Sequence, residues 1–385
     1  MALACSFFYH IFKDAEDFIT QHVLVSEIDL GVLPEAIAVL GSSHLGSSTR
    51  EAILKLISTN LEPRRLPQRA WKLSDALRLS KIHTHVRSFT ETYAIEIPRC
   101  CLDEGGDYPA TSSEVARIQR AFYRFELYCN LFRDYENPPL SLAEQKEFFF
   151  NKFAPWENEQ LTCIHNYLFE LVSEVYNEMV EHDVTFGYYR IPRADISEPG
   201  EIETILARGL ASLHSIILAK TYNEKVQVLY PDLIESTDKF LHQALTAAND
   251  TNDNIWLEDY TEGDKIQKIR SPFFQDPDTG PSDVWFWANQ EETRAHFINC
   301  EMRKSLREWG YVLWDRARLD ALNVLSTPWE EATDLVTIDE YGWRYSRQQK
   351  SLERRHEIYV KGGRGWWSAE DESKIVWPAG REVEP

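Results

Sequence analysis

Four places in the sequence hold residue types that could do chemistry. In "IHTH", His83 and His85 stand two apart. On a helix that spacing turns the two imidazoles roughly 200° from one another, so they cannot share an ion there. On a strand they would face the same way, but the surrounding pattern is helical. Cys163 and His165 have the same spacing and point to different helix faces. "VEHD" places Glu181, His182 and Asp183 together at the end of a helical pattern, where a histidine is favoured by the helix dipole. "KGGRGWW", residues 361–367, combines three glycines, two cations and two tryptophans. Such a run could form a backbone nest for an anion beside a stacking surface, or simply a turn.

The motifs that announce a reaction are missing. The sequence has no GxSxG, no HExxH, no EF-hand loop, no GxxxxGK[ST] and no GxGxxG. "LGSSHLGSS", residues 40–48, has the composition a turn between helices needs. No cofactor and no metal is expected from these residues. A triad assembled from distant positions would leave no local trace.

Composition narrows the environment. The chain has 385 residues, 43% hydrophobic and 12% aromatic, enough for a large core. It carries 62 Asp and Glu against 41 Lys and Arg, a net charge of −21. That charge repels phosphate backbones and anionic membranes, so nucleic acid is an unfavourable partner for the body as a whole. No run of about 18 apolar residues exists, so no membrane is expected either. The start, "MALACSFFYHIFKDAEDF", lacks the basic region of a signal peptide. The six cysteines contain no CxxC pair and read as reduced thiols of a cytoplasmic or nuclear protein.

The elements that must position these residues are helical. Val115, Ile118, Phe122, Phe125, Cys129 and Phe132 recur at steps of three and four. Thr111 and Glu114 form a capping-box signature, and Pro138-Pro139 stops the pattern. The phenylalanine stripe reads as core, with Arg120, Arg124 and Arg133 mostly off it. A second helix spans 154–183, with Leu161, Ile164, Leu168, Leu171, Val175 and Met179 on its inner face. Further helices are expected near 5–24, 47–60, 74–94, 200–224, 233–248 and 290–322. Short strand candidates are "YAIEI" (93–97) and "HEIYV" (356–360). Residues 250–289 have a loop composition, with Trp285 and Trp287 docking their end on the body.

The predicted fold is all-α: a large helical body of bundle-like hairpins with an aromatic-rich, mostly irregular C-terminal extension. The expected division is an N-terminal helical region (1–110), a helical core (111–330) and an extension (331–385) packed on the body. Charge is uneven along it. Residues 231–264 are acidic, whereas 343–367 carry seven Arg and Lys among tryptophans and tyrosines. The candidate anion or partner patch is Arg344, Arg347, Arg354, Arg355, Lys361, Arg364, Trp366 and Trp367. Intramolecular docking of this segment on the acidic block is expected.

Three blocks, "RIQRAFYRFELYCNLF" (117–132), "FFFNKFAPWENEQLTCIHNYLFELV" (148–172) and "LREWGYVLWDRARLD" (306–320), resemble a group of uncharacterised proteins of filamentous ascomycete fungi. Some of these are labelled F-box-containing. "LPEAIAVL" (33–40) has the look of an F-box opening, although "GSSHLGSSTREAILKLI" departs from the usual continuation. The resemblance implies a protein partner and possible kinship with ubiquitin-ligase adaptors; it assigns no site residues. The expectation is therefore an intracellular, non-enzymatic protein–protein interaction protein. The alternatives are an enzyme with a dispersed site, or a phospholigand or nucleic-acid binder acting through 343–367.

Overall fold

In the computed structural model, residues 6–45, 49–61, 70–101, 109–134, 137–191, 193–194, 200–229, 240–248, 276–289, 304–328 and 338–378 are described. The fold is all-α. The helices are α1 (Ser6–Asp14), α2 (Glu16–Glu27), α3 (Leu33–Ser42), α4 (Arg50–Asn60), α5 (Leu73–Cys101), α6 (Ser112–Phe132), α7 (Leu142–Phe148), α8 (Pro155–His182), α9 (Val184–Tyr189), α10 (Gly200–Leu206), α11 (Leu210–Leu218), α12 (Tyr222–Leu229), α13 (Leu241–Ala247), α14 (Gly280–Asn289), α15 (Lys304–Glu308), α16 (Arg316–Ala321) and α17 (Ile338–Val360). A two-residue antiparallel pair follows, β1 (Arg364–Gly365) with β2 (Ile375–Val376).

The chain forms two compact units. One comprises residues 1–167, 207–211 and 239–331; the other comprises 168–206, 212–238 and 332–385. Helix α8 thus contributes its first half to one and its second half to the other.

The first unit is built around α6. Thr111 accepts from the Glu114 amide while the Glu114 carboxylate takes the Thr111 amide, which closes the capping box and satisfies orphan donors of the first turn. Phe122, Phe125 and Phe132 are buried as the spacing predicts, each contributing roughly 1.5–3 kcal/mol by leaving water. Helices α3 and α5 pack on α6. Phe89 stacks on Phe122 at 5.6 Å, and Tyr93 meets Tyr167 edge-on at 4.8 Å. Further along α6, Tyr128 gathers Phe132, Phe149, Phe150 and Phe240. Helix α3, which holds "LPEAIAVL", is buried on nearly every side, with Leu33 only 3% exposed.

Several local expectations are corrected. "YAIEI" and "HEIYV" lie within helices α5 and α17. Strand propensity is weak beside the burial that helical spacing gives Val86, Phe89 and Tyr93 in the first and Ile358 in the second. The single helix expected over 290–322 is broken in its described part. Chain reversal at Gly310, with φ 65°, brings the backbone against the Tyr93 hydroxyl, where a side chain would not fit. A 3-10 turn, Tyr311–Leu313, and then α16 follow. The C-terminal extension is more ordered than its composition suggests, because α17 and the β1–β2 hairpin share a small core of Val184, Ile358, Trp367 and Ile375.

In the second unit, α8 ends at Asp183, which starts α9 as its N-cap. Its Oδ1 accepts from the Thr185 and Phe186 amides at 2.7 and 2.9 Å. Helix α17 crosses α9 at Gly187, whose missing side chain makes room for Arg355: a Cβ there would sit 2.6 Å from both Arg355 Cβ and Nε.

Candidate functional site

The predicted cationic patch belongs to the second unit. Arg344 and Arg347 lie in the part of α17 whose side chains fall outside the described residues. The acidic block 231–264 falls outside them too, except 240–248, and so does the docking expected between the two. The other six patch residues are placed, and they do not form one basic surface.

Arg355 is fully buried. Its Nη1 donates to the Val180 carbonyl at 2.6 Å and the Asp183 carbonyl at 2.9 Å, which closes the C-terminal end of α8. Burial lowers its pKa to about 10, with Asp183 opposing. Arg354, one position earlier, points outward. It grips Glu372 with two donors at 2.7 Å and reaches Glu357 at 3.0 Å. The hydrogen bond to Glu372 leads the causes that hold its guanidinium above the ordinary range.

Trp367 is buried, donating Nε1 to Glu372 at 3.0 Å and its amide to the His182 carbonyl at 2.8 Å. Trp366 lies flat on the His182 ring at 4.2 Å and meets Tyr222 edge-on. Tyr222 in turn donates to Asp183 Oδ2 at 2.6 Å. The sequence reading of Glu181-His182-Asp183 as a helix end is thus what the structure holds, and the tryptophans of "KGGRGWW" clamp it.

Arg364 turns the other way. Its guanidinium lies 3.6 Å over the Tyr359 ring and donates to the Tyr359 and Gly363 carbonyls. Tyr359 stacks on Tyr188 at 3.8 Å, and Tyr188 on His356 at 5.1 Å. Tyr189, 63% exposed, flanks Tyr359 edge-on. Its hydroxyl pKa is raised first by the hydrogen bond to Tyr359. Lys361 is exposed beside this group. Sequence reasoning missed the α9 half of this cluster; "GYYR", 187–190, carried the signal of two tyrosines and an arginine at a helix end.

The first unit holds a different concentration of charge. Arg117, Arg120 and Arg124 occupy one buried flank of α6. Arg117 donates to Asp276 at 2.8 Å, Asp315 at 3.1 Å and the Leu313 carbonyl at 2.7 Å. Arg120 reaches Asp276 at 3.3 Å. Arg124 joins Glu35 at 3.1 Å and Glu157 at 2.9 Å, with Gln160 at 3.2 Å. Glu35 is fully buried; desolvation raises its pKa, Arg124 and Arg120 pull it down, and Glu157 adds to the rise. Above Arg120 opens a small cleft of about 100 Å³ lined also by Trp156, Glu157, Gln160, Asp276 and Asp278. Burial brings Arg120 to about 10, so it remains a cation at neutral pH.

The remaining sequence candidates are structural. His83 shares a hydrogen bond with the Tyr123 hydroxyl at 2.9 Å inside the core, and burial lowers its pKa. Cys129 and Cys163 are buried, and desolvation pushes the Cys163 thiol well up, away from thiolate chemistry. Among the described residues no cluster of three or more His, Cys, Asp or Glu could hold a metal ion, and no helix is long and apolar enough to cross a membrane. No family model, no curated protein and no solved structure matches the chain.

Proposed function

We propose that this chain is a non-enzymatic protein–protein interaction protein of the cytoplasm or nucleus. One observation carries the reading. Tyr189, Val360 and Val376 are each more than 60% exposed around the stacked Tyr188–Tyr359 pair, on a surface that α9, α17 and the hairpin hold in place. Tyrosine and arginine on a pre-ordered surface are the residues that dominate binding energy at protein interfaces. The buried Cys129 and Cys163 thiols fit a reducing compartment.

Kinship with ubiquitin-ligase adaptors remains a narrower proposal. It would have to work through a face other than "LPEAIAVL", since α3 spends Leu33 and Glu35 inside the first unit. The cleft at Arg120 favours a second reading, an enzyme with a dispersed site; a thermal-shift screen of small metabolites tests that reading.

The primary test is capture from an extract of the native cells with the full chain and with a Tyr189→Glu/Val360→Glu variant. The two proteins should melt alike, because both side chains are exposed, and the variant should lose the specific bound proteins. Identical capture by both would overturn the reading.

A further inference from the structure

The second unit exposes two arginines, Arg190 and Arg364, beside the tyrosine stack of Tyr188, Tyr189 and Tyr359, in a chain whose net charge is −21. We infer that it docks an acidic peptide segment of another protein; the inference rests on the reading of the chain as an interaction protein.

Charge complementarity selects the partner. Arg190 and Arg364 are both exposed, and neither has a carboxylate partner among the described residues. Their neighbour on α17, Arg354, is by contrast saturated by Glu357 and Glu372. Of the acids on the same stretch of α17, Glu357 is paired with Arg354, while Glu353 accepts a hydrogen bond from the neutral Gln349. Two guanidiniums without a carboxylate partner among the described residues stand out in a chain with 62 acidic and 41 basic side chains. A carboxylate meeting either one would form a charge-assisted hydrogen bond, with bidentate geometry open to arginine.

The aromatic geometry argues against nucleic acid. Single-stranded nucleic acid binds by stacking bases on open ring faces. Here the faces are occupied: Tyr359 lies between Tyr188 and the Arg364 guanidinium, and Trp366 lies against His182. A long polyanion would also meet the −21 charge of the chain, whereas a short acidic segment engages only the local face. The tyrosines then supply apolar contact beside the two cations, with little side-chain entropy to lose because the stack already fixes them.

The experiment uses the full chain and fluorescein-labelled octaglutamate, with a dT20 oligonucleotide as the rival probe. Octaglutamate should bind, weaken with added salt and weaken at least tenfold in an Arg190→Asn/Arg364→Gln variant. Asparagine keeps the left-handed conformation of residue 190, where φ is 55°, and Tyr189→Ala serves as a second variant if the hairpin loosens. Absence of octaglutamate binding, or binding indifferent to both variants, overturns the inference. Binding of dT20 alone, lost in the same variants, overturns it in favour of nucleic acid. If octaglutamate fails while native proteins are still captured through Tyr189 and Val360, the interaction reading stands and only the acidic class is wrong.

Discussion

Helices α6 and α17 each place arginines against a helix end or a neighbouring helix, and they settle the charge in opposite ways. On α6, Arg117 and Arg124 are matched by carboxylates from distant parts of the chain: Asp276, Asp315, Glu35 and Glu157. On α17, Arg355 is just as buried but its hydrogen bonds go to carbonyl oxygens, with the Asp183 charge nearby, while its neighbour Arg354 keeps its carboxylates at the surface. The contrast teaches that a buried guanidinium can be held by direct carboxylate pairs or by hydrogen bonds to carbonyls at a helix terminus with an acid nearby. The first solution closes a region chemically. The second uses no side-chain hydrogen bond to a carboxylate among the described residues.

The largest expected effect lies in the first region. Arg124→Leu strands Glu35 and Glu157 without their cation, and breaking a buried pair in this way costs about 3–5 kcal/mol. Urea denaturation followed by circular dichroism measures it; a loss below about 1 kcal/mol would mean that the α6 charges are not coupled as the distances imply.

Glu35→Gln sharpens the same comparison through pH. The carboxyl of Glu35 is raised above its ordinary 4.5 by burial. A group raised in the folded state contributes stability that is complete below the unfolded pKa and is lost as pH rises through the folded one. Wild type should therefore lose stability relative to Glu35→Gln as pH climbs above 4.5, and the two should converge below it. Parallel pH profiles would show that Glu35 is ionised throughout, held by Arg124 and Arg120.

This part of the fold was only half legible in the sequence. The capping box at Thr111–Glu114 and the Phe122–Phe125–Phe132 stripe could be read because both are local, set by spacings of three and four. The burial of Arg117, Arg120 and Arg124 could not, because their partners lie up to about two hundred positions away and spacing carries no trace of them. One clue was present: arginines at 117, 120 and 124 recur on one flank of the helix. Likewise "HEIYV" has strand composition, yet Ile358 is buried by helical register against Val184 and Trp367, a contact that only the folded chain supplies.

In the second region, Arg355→Met tests how much the carbonyl hydrogen bonds of a buried cation contribute. Methionine fills much of the stem but leaves the Val180 carbonyl without the guanidinium donor and the Asp183 carbonyl with only the Gly187 amide. Losing hydrogen bonds to a charged group costs about 1.5–3 kcal/mol. The cost should fall between that of Arg124→Leu and that of any surface ion pair. Unchanged stability would indicate that the end of α8 finds other donors.

Arg354→Ala should cost least, about 0–1 kcal/mol, although its bonds to Glu372 are as short as any in the α6 ladder. The reason is solvent. Arg354 is 41% exposed and Glu372 40% exposed, so water recovers most of what the pair loses, and added salt should shrink the effect further. Glu372 also accepts from Trp367 Nε1, so Glu372→Ala should cost more than Arg354→Ala even though it breaks the same ion pair. A double-mutant cycle between the two positions isolates the pair from the tryptophan bond. A coupling energy of several kcal/mol would contradict the contrast between adjacent arginines; a coupling below about 1 kcal/mol, beside a costly Arg355→Met, would show that one step along α17 separates a structural cation from a surface one.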